Sequence, residues 1–114
     1  MLTITKKHTS EDVNTQLGET YYYTTYETAG KVKLAGDSIW GYKGADEVAV
    51  DSIQVIETVY DDGATSTMVN VTHDTTWDIY TDTGFEAAIS KALGFDVAFT
   101  EQGMQDDGYA SMET

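Results

Sequence analysis

At 114 residues the chain has the length of one domain with a modest core, and it sets twenty acids against six lysines with no arginine, a net charge of -14. That balance excludes a guanidinium grip on phosphate and disfavours direct contact with nucleic acid or an anionic membrane surface. Cysteine is absent, which excludes a disulfide framework, a thiolate metal site and a cysteine nucleophile.

The chain is 40% apolar and includes eight Tyr, three Phe and two Trp. A disordered acidic tail would have few such residues, so a single folded domain over 1–114 is expected. No apolar stretch near the start is long enough for a signal peptide or a membrane span, which points to a cytoplasmic protein.

In chain order, 2–5 alternates apolar residues with Thr and predicts a short edge strand. Ser10 followed by Glu11 and Asp12 has the form of a helix start, with Val13 and Leu17 on one face and Gly18 at the end. This predicts a short N-terminal helix of one or two turns. The run 19–29 gathers Tyr21, Tyr22, Tyr23 and Tyr26 among threonines and reads as a strand. A turn at Ala29 and Gly30 leads into a second strand over 31–35. Three of the lysines, Lys31, Lys33 and Lys43, fall close together here. Residues 36–47 hold three glycines and read as a loop carrying Ile39, Trp40 and Tyr42.

The strongest strand signal is the β-branched run 48–60. It is mirrored by 67–72 across a turn at Asp61-Asp62-Gly63. A further strand is expected over 76–81, with Trp77 and Ile79 on one face. An amphipathic helix is expected at about 84–93: Thr83 and Glu86 have capping-box spacing, and Phe85, Ile89, Ala92 and Leu93 recur at helical period. Gly94 closes it. Phe95, Val97 and Phe99 alternate as in a strand, and a last strand spans 109–113. The fold class is therefore α+β: a mostly antiparallel sheet of five to seven strands with one packed helix.

No motif for catalysis, phosphate binding or a cofactor is present, so an enzyme is not expected. His73, Asp74 and Asp78 match no ligand spacing, and the two Asp-Asp-Gly turns lack the alternating oxygen ligands of a calcium loop. Ordinary turn chemistry accounts for both turns, and a turn position leaves His73 partly exposed. The candidates for partner binding are therefore acids at loop tips and aromatics beside them. The acids form three groups: Asp46, Glu47 and Asp51; Asp61 and Asp62; Asp106 and Asp107. In a strand Tyr21 and Tyr23 share one face while Tyr22 takes the other, which offers the pair to a partner together with Trp40.

The segment Phe95-Asp96-Val97-Ala98-Phe99-Thr100-Glu101-Gln102-Gly103-Met104-Gln105 resembles the C-termini of small uncharacterised proteins of tailed bacteriophages. In size and charge, though not in sequence, the chain is similar to phage-encoded inhibitors such as DNA mimics and anti-CRISPR proteins. The resemblance implies a binding protein acting in a host cytoplasm on a basic, nucleic-acid-binding protein, with no cofactor. The alternative is a small structural or assembly protein of a virion.

Overall fold

The computed structural model of the chain describes residues 2–37, 47–74, 79, 82–99, 101–103 and 108–113. Seven strands form one antiparallel sheet: β1 (Thr3–Asn14), β2 (Glu19–Ala29), β3 (Lys31–Lys33), β4 (Glu47–Tyr60), β5 (Thr65–His73), β6 (Glu101–Gly103) and β7 (Gly108–Glu113). Their order is β1-β2-β4-β5-β7-β6, with β3 also on β4, and one helix, α1 (Thr83–Leu93), packs beside them. The α+β fold expected from the sequence is the fold observed.

The β-branched strand β4 is the spine. One edge pairs with β5 over positions 50–59. Along its other edge, positions 52–60 pair with β2 and positions 47–49 with β3, so β2 and β3 are one run of chain that bends at Gly30. Asp51 is the extra residue of a β-bulge between Val50 and Ser52, and this bulge changes which residues point inward. Val48 and Val50 face the core before it; Ile53 and Val55 do so after it. A single uninterrupted alternation would have sent one of these pairs to solvent.

The core lies between this face and α1. Phe85 and Ile89 of α1 are wholly buried in one cluster with Ile53, Val69 and Val71 of the sheet, and burial of each side chain stabilises the fold by about 1.5–3 kcal/mol. Phe85 also contacts two other rings, Phe99 at 5.3 Å between centroids and His73 edge-on at 5.7 Å. His73 is therefore a fully buried core residue, not the partly exposed turn histidine expected from its place at the end of a strand.

The start of α1 is fastened by carboxylates. Asp82, not Thr83, is the N-cap, and its side chain accepts from the Phe85 N–H. The same buried carboxylate also accepts from the Ala35 N–H at 2.9 Å and the Gly36 N–H at 2.7 Å. Asp37 reaches back from that stretch and takes both the N–H and the hydroxyl of Thr83. Gly84 fits here because it has no Cβ; a methyl group would lie 2.8 Å from the Lys33 carbonyl oxygen. Gly94 ends the helix in the left-handed region at φ 84° and donates to the Ser90 carbonyl.

Three expectations are corrected. The short N-terminal helix over 10–17 is absent: β1 continues to Asn14, and Ser10, Glu11 and Asp12 stand opposite Tyr23, Tyr22 and Tyr21. A helix there had only Val13 and Leu17 to bury, and both remain exposed, too little to hold two turns in place. The turn at 15–18 is instead closed by Asn14, whose Oδ1 accepts from the N–H groups of Gln16 and Leu17. Second, 95–99 joins no strand. Two of its backbone donors bond to α1, the Val97 N–H to Ser90 Oγ and the Phe99 N–H to Glu86 Oε2. Third, Glu86 completes no capping box, because Phe99 occupies it. The expected strand over 76–81 lies outside the described residues apart from Ile79, which is buried.

Candidate functional site

Period-two geometry places Tyr21 and Tyr23 on the sheet face opposite the core, and Tyr22 on the core side beyond the reach of α1, where it is 43% exposed. The ladder puts Tyr23 opposite Ile56, Tyr21 opposite Thr58 and Glu19 opposite Tyr60. Across β4 the same rows continue to Met68 and Ser66. These eight residues line a cleft of about 290 Å³. Its floor is Ile56, Thr58 and Met68, and its walls are phenol rings. The Tyr21 and Tyr23 rings are tilted against each other with centroids 6.3 Å apart, and the Tyr60 hydroxyl lies 3.3 Å from Ser66 Oγ.

Inside the cleft the Tyr21 hydroxyl donates to the Glu19 carboxylate. That bond, with the negative charge of Glu19 beside it, pushes the Tyr21 phenol from 10.0 up to about 12. At neutral pH Tyr21 thus remains a donor and holds Glu19 against the tyrosine rings.

The lysines, not the acids, are segregated along the sheet. Beyond Ser10 on β1, and across the matching ends of β2 and β4, stand Glu11, Asp12, Glu19, Glu57, Asp61 and Asp62. No lysine lies in that half among the described residues. Lys6 and Lys7 pair with Glu27 and Tyr26 in the other half, Lys31 and Lys33 pair with the start of β4, and Lys91 is on α1. The two turns meet at the acidic tip: the Asp61 carboxylate lies against Gly18, where any side chain would overlap it. Asp62 closes its own turn by accepting from the Ala64 N–H.

Of the residues singled out from the sequence, Tyr21, Tyr23, Asp61 and Asp62 come together at this end. Glu47 and Asp51 do not. Both are exposed, but they sit towards the start of β4, and fourteen residues of strand put Glu47 about 45 Å from Asp61. Trp40, Asp46, Asp106 and Asp107 lie outside the described residues. The sequence alone did not single out Glu11, Asp12, Glu19 or Tyr60. The first two have the chemistry of a helix start, and Tyr60 is set apart from other strand residues only by the ladder that puts it opposite Glu19.

Among the described residues no group of three or more His, Cys, Asp or Glu is placed to hold a metal ion. No helix among them is long and apolar enough to cross a membrane. Comparison of the chain with protein-family models, with curated proteins and with solved structures gives no match.

Proposed function

We propose that this is a binding protein that docks its acidic, tyrosine-bearing end on a basic, nucleic-acid-binding surface of another protein, as an inhibitor that mimics nucleic acid. The supporting observation is the placement of the lysines: acids stand in and beside the tyrosine cleft, on the opposite sheet face and at the tip, while every described lysine lies in the other half among acids of its own. A lysine or arginine side chain entering the cleft would meet three phenol rings and the Glu19 carboxylate, a setting that favours a cation through both ring quadrupole and charge. The acids around it would steer a basic partner and set its orientation, so association is fast at low salt and slows steeply as salt rises. Ile56 and Met68 add apolar contact that salt does not screen.

The test is capture of partners from a bacterial lysate on immobilised protein, followed by a salt gradient and by duplex DNA. A nucleic-acid-binding protein released by salt and displaced by saturating DNA supports the reading. A partner that DNA fails to displace overturns mimicry. Appearance of the chain in purified virus particles in place of a soluble complex would favour an assembly component instead.

A further inference from the structure

The lysine-bearing half holds a second cleft, which neither the tyrosines nor the acids of the docking end line. It occupies about 480 Å³ beside β3 and α1, a volume in the range of small-molecule sites. Leu2, Val32, Ala88 and Ala92 supply apolar surface, and Lys31, Lys33 and Lys91 supply charge. Half of the six lysines of a chain with twenty acids thus converge on one opening. Glu47 is the single acid among its described lining residues.

Two features hold the lysines there. Lys33 and Lys31 flank buried Val32 on β3, so burial of Val32 turns both side chains away from the core. Lys91 lies in the last turn of α1, where the helix dipole favours a cation, with Ala88 and Ala92 beside it on the same helix. The nearest acids on α1 and after β3 are engaged elsewhere: Asp37 accepts from Thr83, Asp82 from the Ala35, Gly36 and Phe85 N–H groups and Glu86 from the Phe99 N–H, and none of the three lines the cleft.

We propose that this cleft binds a small amphipathic organic anion, a carboxylate or phosphate monoester with an aliphatic body of several carbons. The anionic group sits between Lys33 and Lys91, and the aliphatic body lies on Leu2, Val32, Ala88 and Ala92. The proposal stands independently of the docking function, because the two clefts share no residue.

The experiment titrates uniformly 15N-labelled protein with octanoate and with octyl phosphate, reading amide shifts and the dissociation constant. Inorganic phosphate and octyltrimethylammonium serve as controls for the anion alone and for the apolar body with reversed charge. The expected result is saturable shifts confined to 31–33, 47–49 and 88–92, much weaker shifts with inorganic phosphate, and none there with the ammonium. Lys33→Gln and Lys91→Gln should each weaken binding about fivefold, the size of an exposed ion pair, with unchanged melting temperature. The stronger of the two anions identifies the headgroup. Shifts spread over the tyrosine face, equal binding of the ammonium, or unchanged affinity in the double lysine variant would overturn the proposal.

Discussion

Asp82 offers the sharpest test of how the sheet and helix are joined. Its wholly buried carboxylate accepts three backbone N–H groups, from Phe85 at the start of α1 and from Ala35 and Gly36 just after β3. In Asp82→Ala the helix loses its cap, worth about 1 kcal/mol. Two further donors lose a charged acceptor, each worth about 1.5 kcal/mol or more. The loss is therefore about 4 kcal/mol, a large part of the about 5–15 kcal/mol that holds a domain together. At this size it lowers the melting temperature by roughly 15 °C. Asp82→Asn separates the contributions. Oδ1 alone serves both Ala35 and Phe85, so an amide keeps those bonds but turns an N–H group towards the Gly36 N–H. That variant should lose about 2 kcal/mol. Urea unfolding followed by far-ultraviolet circular dichroism measures both. A loss below about 1 kcal/mol in Asp82→Ala, or equal losses in the two variants, would refute the argument.

Gly84→Ala sets two effects against each other. Alanine improves helix propensity by about 1 kcal/mol, but its Cβ would sit 2.8 Å from the Lys33 carbonyl oxygen and 2.9 Å from the Ala35 nitrogen, both backbone. Neither backbone atom yields as a flexible side chain would, and overpacking costs about 1–3 kcal/mol, so the variant should be less stable by thermal melting; a higher melting temperature contradicts the close approach. Burial pushes the Glu86 carboxyl above its ordinary 4.5, with Asp37 and Asp82 adding to the effect. The protonated form therefore suits the folded state: the contribution is full below pH 4.5 and is lost as pH rises through the raised value. Glu86→Gln, which keeps an acceptor for the Phe99 N–H, should remove that part of the stability–pH curve. Asp37 works in the opposite sense. Hydrogen bonds from Thr83 hold its carboxyl below 3.8, so its contribution is present above that pH and fades as pH falls through the lowered value. Tyr21 should ionise near pH 12 in an absorbance titration at 295 nm, and Tyr21→Phe should remove that late step. Because its phenol is raised in the folded state, its contribution is full below pH 10 and is lost towards pH 12.

The parts of the fold that were legible in the sequence are those where local pattern and tertiary burial agree. The β4–β5 hairpin is an example, with β-branched runs on either side of Asp61-Asp62-Gly63, and so is α1 with Phe85 and Ile89 at helical spacing. The parts that were not legible depend on long-range partners. Ser10-Glu11-Asp12 has the chemistry of a helix start, yet the threonine- and tyrosine-rich β2 offers a ladder to Asn14, and the ladder wins because a helix had nothing to bury. The helix cap lies one residue before Thr83 and forms no capping box, since Asp82 also reaches Ala35 and Gly36, more than forty positions earlier in the chain. The alternation of Phe95, Val97 and Phe99 correctly marks two buried side chains, but Ser90 and Glu86 take backbone donors that a strand partner would have needed.

The candidate site follows the same division. Alternation alone puts Tyr21 and Tyr23 on one face, whereas the register that brings Glu19 to Tyr60 and Asp12 to Tyr21 is a property of three strands together. The bulge at Asp51 has no local sequence signature, yet it decides which face of β4 each apolar residue serves.

The central claim is that the acidic tyrosine end, and not the negative charge as a whole, engages a basic partner. The most direct measurement maps a lysine- and arginine-rich peptide onto 15N-labelled protein at physiological salt, with wild type compared with Asp12→Asn/Glu19→Gln/Asp61→Asn and with Glu47→Gln/Asp51→Asn. Amide shifts concentrated at 19–23 and 56–68, with affinity lost in the first variant and kept in the second, are the predicted result. Shifts spread over the acids of both ends, or equal losses in the two variants, would contradict it.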